Sequence, residues 1–395
     1  MRPTPWLLLR LLGTTFILSV SSLSSAQAAI EDIRSPVVKI HTTHRYPDVQ
    51  RPWTRREPSK ATGSGTILTG GRILTNAHVV RNASQIYVQP FQSSEQLPAR
   101  VIAISHQMDL AVLELKKPAA FVDYVGLPIN TAIPQVQDTV NVYGFPTGGE
   151  ELSVTEGIVS RSEFTGYYYG GRGLRVQVDA ALNPGNSGGP AIANDELIEL
   201  VYSGISKSQS IGYLIPSEEI NLFLSYIEDG VYDGKPSTEQ IVQSVENDTL
   251  RTHLKLSPET GGIMIINPAR DDPSYPLRRW DVITQIGDYK LDRQGNVLID
   301  ASVRLNVGYL LQHLTVDDKL PCTFLRDGEE HTVQVPLYRD KERVIPYLFE
   351  ESPRYFIYGP LIFSIATQDH LARLSERGRA SLGLHDHPLV TRSSD

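Results

Sequence analysis

The stretch Asn183-Pro184-Gly185-Asn186-Ser187-Gly188-Gly189-Pro190 is a glycine-rich turn around one serine, and it leads into the apolar pair Ala191-Ile192. Side chains at the glycine positions would block close approach to the backbone. A turn of this composition can therefore aim successive backbone N–H groups at a negative charge that develops on an attacked carbonyl oxygen. The stretch predicts a reactive serine, Ser187, held on a turn at the start of a strand.

Two stretches upstream carry the other groups that a reactive serine needs. Thr75-Asn76-Ala77-His78-Val79-Val80 places a histidine at the end of a strand, and Asp109-Leu110-Ala111-Val112-Leu113-Glu114-Leu115 opens an apolar strand with an acid. Nucleophilic acyl transfer requires a hydroxyl, a base of near-neutral pKa and an acid that fixes the tautomer of that base. Ser187, His78 and Asp109 supply these three groups.

Short runs rich in Val, Ile and Leu, separated by Gly, Pro, Asn and Ser, surround these stretches from Ser35 to about Glu228. Such spacing predicts a β-barrel or sandwich. One helix is expected to follow from Pro216, because Ile220, Phe223 and Ile227 recur at helical spacing. The predicted strands are Val37 to His41, Gly65 to Leu68, Ile73 to Thr75, Ile86 to Val88, Val101 to Ile104, Leu110 to Leu115, Val140 to Tyr143, Gly157 to Ser160, Leu174 to Val178 and Ala191 to Ile192.

The TNAHV, DLAVLEL and NPGNSGGPA stretches resemble the three catalytic blocks of the HtrA/Deg serine proteases, a family within the chymotrypsin-like clan. The resemblance implies a mainly β chain, with a chymotrypsin-like double β-barrel followed by an α+β PDZ-like domain. It also implies a serine endopeptidase in which His78 is the general base, Asp109 orients it and Ser187 is the nucleophile. The amides of Gly185 and Ser187 would form the oxyanion hole, and the substrates would be unfolded or misfolded polypeptides cleaved without ATP, in a role in protein quality control.

The family also implies assembly, because HtrA-like proteases are commonly trimers or multiples of trimers. Aromatic residues near the mature amino terminus join the subunits in such assemblies, and Tyr46 and Trp53 are the candidates in this sequence. We therefore expect a homo-oligomer.

The carboxyl-terminal half is expected to form a second unit of short strands with one helical stretch near Val303 to Leu314. Residues 29–229 would be the protease domain, residues 230–236 a linker, and residues 237–340 a domain that resembles a PDZ module. In such modules a peptide adds as a strand to a sheet edge while loop amides bind its terminal carboxylate. The resemblance assigns this role to Gly261, Gly262 and Ile263, and the alternative is a PDZ-like domain that only packs on the protease. Residues 341–395 resemble the start of a second PDZ-like unit and form a short extension.

The amino terminus has the pattern of an export signal. Arg2 and Arg10 precede a short apolar run, and small residues follow up to Ala28 and Ala29. The apolar run is shorter than the ~20 residues that a membrane-spanning helix needs. We therefore expect residues 1–28 to be a cleaved signal peptide, an exported and periplasmic mature protein, and no integral membrane segment after cleavage. The alternative is an uncleaved anchor.

Composition excludes several other classes of protein. The chain has 395 residues and a formal net charge of −8, which argues against non-specific nucleic-acid binding. A single cysteine, Cys322, excludes an intrachain disulfide and cysteine-rich zinc sites. No cofactor and no metal is expected, since His385-Asp386-His387 is weak evidence for a metal site. Two alternatives stay open: a chaperone or peptide-binding scaffold without turnover, and a narrow regulatory protease with one target.

Overall fold

A closed six-stranded β-barrel begins the part of the chain that the structure describes. The computed structural model describes residues 32–121, 124–166, 169, 171–204, 211–299, 303–339, 345–385 and 387. Short β-branched segments such as Val37–His44 favour strands, and the strands close in the order β1-β2-β3-β6-β5-β4. Their bounds are β1 Val37–His44, β2 Ser59–Ile67, β3 Ile73–Thr75, β4 Ala83–Pro90, β5 Leu97–Ser105 and β6 Leu110–Leu115, with the one-turn helix α1 at Ala77–Val80.

A second closed barrel follows, in the order β10-β11-β12-β9-β8-β7. Helix α2, Ser217–Tyr226, ends it and packs Ile220 and Phe223 inward. Two glutamates in its first turn, Glu218 and Glu219, suit the positive end of the helix dipole. The strand bounds are β7 Thr139–Gly144, β8 Ser153–Gly166, β9 Arg172–Val178, β10 Pro190–Ala193, β11 Glu196–Gly204 and β12 Gly212–Pro216.

Each barrel has its own apolar core, and a third cluster joins them. Leu74 and Leu110 of the first barrel pack in this cluster with Leu200 and Ile215 of the second, and with Phe223 of α2. The two barrels therefore meet along a buried apolar seam, and the predicted double β-barrel is confirmed.

The second unit contains an antiparallel sheet in the order β13-β14-β15-β19-β20, with β16 paired to β15, a separate β17–β18 pair and short helices. An antiparallel β-bridge between Ser237 and Tyr338 joins the beginning of this unit to its end. The bounds are β13 Ile241–Ser244, α3 Asp248–His253, β14 Ile263–Asn267, β15 Val282–Ile286, β16 Tyr289–Lys290, β17 Asn296–Leu298, β18 Arg304–Asn306, α4 Gly308–Leu311, β19 Lys319–Arg326 and β20 Glu329–Pro336.

The core of this second unit is continuous with the second barrel. Phe164 and Leu174, from β8 and β9, belong to the same buried cluster as Leu310, Cys322 and Phe324. The second unit is thus packed on the second barrel through apolar side chains.

The predicted peptide-binding role of Gly261, Gly262 and Ile263 does not fit the geometry. The Gly262 N–H already donates to the carbonyl oxygen of Asp292 at 2.9 Å, so it is not free to bind a carboxylate. Ile263 begins β14, which pairs with β13 on one side and β15 on the other. A peptide strand therefore finds no open edge there, and the open edge on that side of the sheet is β13.

A projecting β-hairpin characterises the carboxyl-terminal extension. Strands β21, Tyr355–Tyr358, and β22, Leu361–Ser364, pair with each other, and the short helices α5, Gln368–Leu371, and α6, Glu376–Leu384, follow. The segment before the hairpin packs on the first barrel, where the Asn82 side-chain amide donates to the Phe349 carbonyl oxygen at 3.0 Å. The predicted signal peptide lies outside the described residues, and the domain limits given above remain predictions.

Candidate active site

His78 and Asp109 form a doubly hydrogen-bonded pair in the first barrel. One Asp109 carboxylate oxygen accepts from the His78 backbone N–H at 2.9 Å, and the other lies 2.6 Å from His78 Nδ1. Asp109 is 3% exposed, so water does not compete for these bonds. A carboxylate at Nδ1 fixes the neutral imidazole with its proton on that nitrogen, which leaves Nε2 as a proton acceptor.

Asp109 adopts an uncommon backbone conformation at the start of β6. Its φ is +57°, in the left-handed region that residues other than glycine rarely adopt. The Asn76 side-chain amide donates to the Asp109 carbonyl oxygen at 3.1 Å and so supports this geometry. The strained turn aims the carboxylate at His78 instead of along the strand.

Ser187 lies on the glycine-rich turn between β9 and β10. Its hydroxyl donates to the Tyr202 carbonyl oxygen at 3.3 Å, and no hydrogen bond between described residues joins it to His78. The Tyr202 ring stands edge-on to the His78 ring, with 6.4 Å between centroids. Tyr202 thus contacts both the predicted nucleophile and the predicted base.

Two glycines of this turn occupy positions where a side chain would clash. Gly185 has φ +101°, and a Cβ there would lie 2.4 Å from the Phe145 carbonyl oxygen. Gly188 has φ +85°, and a Cβ there would lie 2.2 Å from the Ser64 carbonyl oxygen. Within the described residues, the N–H groups of Gly185 and Ser187 have no hydrogen-bond acceptor. Such amides are suited to bind an oxyanion.

Ser64 is a residue of this site that the sequence did not identify, since a serine between two glycines reads as an ordinary turn. It is completely buried in β2. Its hydroxyl donates to the Gly185 carbonyl oxygen at 2.8 Å and accepts from the Phe145 N–H at 2.9 Å. Its backbone N–H donates to the Ser187 carbonyl oxygen at 2.8 Å. Ser64 therefore ties the turn of the second barrel to the first barrel.

His106 lies three residues before Asp109 and contacts the carboxyl-terminal extension. Its ring stacks on that of Phe349, with centroids 4.6 Å apart. Burial, helped by the charge of Arg81, lowers the pKa of His106 to about 4. This histidine is therefore neutral at physiological pH and acts as a packing group.

In the ranges listed above for the structure, no three His, Cys, Asp or Glu side chains lie close enough together to hold a metal ion. None of the helices in those ranges has both the length and the apolar character needed to cross a bilayer.

Comparisons with known proteins identify similar sequences and a similar structure. A family profile described as "Trypsin-like peptidase domain" matches residues 63–198. "Protease Do-like 4, mitochondrial" of Arabidopsis thaliana is 35% identical over 349 residues, which are 87% of this chain and 67% of the relative. "Putative protease Do-like 13" of the same plant is 33% identical over 346 residues, 87% of this chain and 71% of the relative.

Among solved structures, the chain is similar to "HtrA-type protease AlgW with decapeptide". The TM-score is 0.58 at 25% identity, and the match covers 78% of this chain and 96% of the other.

Proposed function

The chain belongs to the Deg/HtrA family of trypsin-like serine endopeptidases, and on this basis we propose that it degrades unfolded or misfolded polypeptides, without ATP, through His78, Asp109 and Ser187. The observation that carries this proposal is the doubly bonded His78–Asp109 pair beside a serine turn in which the N–H groups of Gly185 and Ser187 have no acceptor among the described residues. The role would be protein quality control.

In the mechanism that we propose, the same groups act first in the acylation of Ser187 and then in the hydrolysis of the acyl-enzyme. The Ser187 hydroxyl turns from the Tyr202 carbonyl toward His78 and attacks the substrate carbonyl carbon, while Nε2 of His78 takes its proton. The oxyanion is held by the N–H groups of Gly185 and Ser187. His78 then gives the proton to the leaving amine, and a water molecule hydrolyses the acyl-enzyme by the same route.

Hydrolysis of fluorescein-labelled casein tests this proposal. Ser187→Ala should lower kcat by at least about 10⁴-fold, because the triad acts as a unit. Ser160→Ala, at an exposed serine of β8, serves as the matched control and should keep full activity. If wild type and Ser187→Ala both leave casein intact but slow the aggregation of a denatured protein equally, the chaperone alternative holds instead.

The expected cleavage specificity is for small aliphatic residues. In trypsin-like proteases that cut after Lys or Arg, an acid lies six residues before the nucleophile, and that position here is Ala181. The nearest acid, Asp179, is exposed and accepts from the Ile158 N–H at 2.7 Å. A buried cationic side chain would find no partner. Mass-spectrometric product mapping should show Val, Ala or Ile before the cut, and products dominated by Lys or Arg would reject this.

Peptide binding by the second unit is proposed for β13 instead of the loop at residues 261–263. In the described residues β13 pairs only with β14, and its Ile241 and Val242 are 50% and 38% exposed. A peptide can add along this edge. Fluorescence polarisation with a labelled decapeptide tests this: Ile241→Pro should weaken binding at least tenfold, whereas Leu298→Pro on the exposed strand β17 should not. Equal affinities would reject the site.

We propose a homo-oligomer, a trimer or a multiple of one, that covers one exposed apolar surface. Trp53 is 50% exposed and contacts Tyr355 of the hairpin edge-on at 6.1 Å, whereas Tyr46 stacks on His44. This surface includes both faces of the hairpin, because successive side chains of a strand point to opposite sides. It consists of Trp53, Tyr355, Phe356, Ile357, Tyr358, Leu361, Ile362, Phe363 and Ile365.

Light scattering after size exclusion tests the assembly. A double variant Trp53→Ser/Phe356→Ser should lower the measured mass toward one chain at micromolar concentration. Leu384→Ser, at a residue 86% exposed outside this surface, should leave the mass unchanged. A monomeric wild type would reject the proposal.

Export to the periplasm is proposed from the signal-like residues 1–28. The name of the Arabidopsis relative carries the word mitochondrial, so the compartment differs within the family. Mass spectrometry of the secreted or periplasmic fraction should find a mature chain that begins at Ala29 or Ile30. A full-length cytosolic chain would reject export.

A further inference from the structure

A completely buried arginine, Arg175 in β9, lies beneath the candidate active site. It is 1% exposed, which is rare for arginine. One terminal nitrogen donates to the Leu174 carbonyl oxygen at 2.8 Å, and the other to the Met108 carbonyl oxygen at 3.2 Å. The guanidinium also lies over the Tyr202 ring, 5.1 Å from its centroid. Arg175 thus links β9 to the residue immediately before Asp109.

The Met108 carbonyl is one of two peptide groups that flank the strained Asp109. Arg175 holds the Met108 carbonyl, and Asn76 holds the carbonyl of Asp109 itself. A non-glycine residue keeps a left-handed conformation only where its surroundings fix it on both sides. Without the guanidinium, the peptide group before Asp109 is free to rotate and to turn the carboxylate away from His78.

Tyr202 gives Arg175 a second contact with the site. The ring beneath the guanidinium belongs to the residue whose carbonyl accepts the Ser187 hydroxyl. The same ring stands edge-on to His78. One buried cation therefore supports the surroundings of all three predicted catalytic residues.

Glu219 of α2 balances the buried charge. It is completely buried, and it accepts from the Leu174 N–H and from the Lys235 ammonium, both at 2.8 Å. Burial alone would raise the pKa of Glu219, but the charges of Lys235 and Arg175 hold it below its ordinary value. The carboxylate therefore stays ionised at neutral pH and provides a negative charge in the same buried region as the Arg175 guanidinium.

We propose that Arg175 is a positioning residue that holds Asp109 in its left-handed conformation and thereby sets the orientation of His78. This inference rests on the proposed function of the triad. Arg175 is too deeply buried to touch a substrate, so its effect must pass through Asp109 and Tyr202. Its removal should lower the reactivity of Ser187 without altering which substrates bind.

Inactivation by a fluorophosphonate, which phosphonylates a reactive serine, measures this effect apart from polypeptide binding. Arg175→Met should lower the second-order rate constant 10- to 100-fold, while KM for casein stays within twofold. The acid limb of the pH profile should move to lower pH, since a displaced Asp109 stabilises the imidazolium less. Arg175→Lys, which keeps the charge but has one donor group, should fall between Met and wild type.

Arg251 provides a matched control in the second unit. It is 5% exposed, and its guanidinium likewise donates to backbone carbonyls, including those of Val245 and Ser257. Arg251→Met should lower the melting temperature but keep the fluorophosphonate rate within twofold. An Arg175→Met protein that is folded and reacts at the wild-type rate would overturn the proposal, as would an equal loss in Arg251→Met. If Arg175→Met does not fold, Arg175→Lys decides: an unchanged rate and pH profile overturn the proposal.

A readout independent of catalysis separates this inference from the proposed function. The proton in the 2.6 Å His78–Asp109 bond should give a low-field NMR signal. We expect that signal to move upfield or vanish in Arg175→Met and to persist in Arg251→Met. Persistence in Arg175→Met would overturn the positioning role, whereas a wild type no more reactive than Ser187→Ala would overturn only the proposed function.

Discussion

The Ser64 hydroxyl acts at the scale of a single residue, as donor to the Gly185 carbonyl and acceptor from the Phe145 N–H. Both partners belong to the second barrel, whereas Ser64 lies in the first. A hydroxyl is the smallest side chain that can satisfy both groups, because it carries a donor and lone pairs on one atom. The conformation of the oxyanion turn is therefore set across the junction of the two barrels.

Ser64→Ala should lower the fluorophosphonate rate by 10- to 100-fold and destabilise the protein by about 1–3 kcal/mol, because two buried polar groups lose their partner. Ser84→Ala removes a serine hydrogen bond to the Thr43 carbonyl at an exposed position and should change neither quantity measurably. Thermal unfolding and the rate of inactivation check both values. Full reactivity of Ser64→Ala would show that the turn does not need this hydroxyl.

Glu199 carries a buried carboxyl group in β11 whose two oxygens have no hydrogen-bond partner among the described residues. Burial raises its pKa well above the ordinary value, and Asp138 raises it further. The native state therefore keeps a proton that the unfolded chain releases above the ordinary pKa of 4.5. Stability that is fully present below that pH is lost as the pH rises toward the pKa of the folded state.

Glu199→Gln is uncharged at this position at every pH, so it should remove the loss of stability that accompanies rising pH. We expect a higher melting temperature than wild type at pH 8, by several degrees, and a much smaller difference at pH 5. Glu156→Gln, at an exposed position of β8, should show no such pattern. Equal pH dependence in wild type and Glu199→Gln would mean that Glu199 ionises normally in the folded protein.

Among the site residues, the sequence identifies those whose neighbours along the chain are themselves distinctive. His78, Asp109 and Ser187 stand in recognisable local patterns, and the structure brings the first two into direct contact. Ser64 and Arg175 carry no such pattern, because their partners lie 81 residues away at Phe145 and 67 residues away at Met108. Long-range partners of this kind follow from the packing of the barrels and cannot be predicted from local spacing.

At the scale of elements, the segment after α2 is fixed by a buried ion pair and does not behave as a free linker. Lys235, within the predicted linker 230–236, donates to Glu219 at 2.8 Å and to the Arg172 carbonyl at 3.0 Å. The Gln312 side chain of the second unit also donates to Glu219, at 3.1 Å. Glu219 therefore joins α2, the connecting segment and the second unit.

Lys235→Met should destabilise the protein by about 3–5 kcal/mol, because it leaves Glu219 buried without its cation. The double variant Lys235→Met/Glu219→Gln should recover much of that loss, since it removes the unpaired charge. Arg270→Met, which breaks the more exposed pair with Glu239, should cost less than about 1 kcal/mol. Urea unfolding measures all three, and additive losses in the double variant would contradict the pairing.

The strands were more predictable than the helices. Runs such as 110–115 and 174–178 form strands with nearly the predicted bounds, because short apolar runs bounded by turn residues are typical of buried strands. Residues 303–314 were predicted as one helical stretch, but they form strand β18 and the four-residue helix α4. The pairing of β18 with β17 supplies backbone partners that the sequence pattern does not reveal. Strand β11 was missed altogether.

At the scale of the whole molecule, the second barrel and the second unit share one core. Phe164 of β8 packs in the cluster that contains Cys322, and a Cβ at Gly308 would approach the Phe164 ring to 2.7 Å. Opening of the second unit must therefore disturb the surface of the barrel beneath it. Burial also raises the pKa of the Cys322 thiol to about 12, so the native thiol is protonated and unreactive.

Phe164→Ala should raise the rate at which Ellman's reagent labels Cys322 by at least tenfold, because the shared core loses part of its packing. Phe121→Ala removes a ring of similar burial from the first barrel and should leave the labelling rate nearly unchanged. An equal rise in both variants would show that the chain opens as a single unit.

The lone thiol has a practical consequence. Cys322 is the only cysteine in the sequence, so every labelling event reports one location, β19 of the second unit. The thiol is therefore a built-in probe of the opening of the second unit. Timed quenching at increasing urea would record how often this unit opens in the native ensemble, while peptidase activity records independently whether the barrels are intact. The order in which the two signals disappear would give the order in which the parts of the molecule come apart.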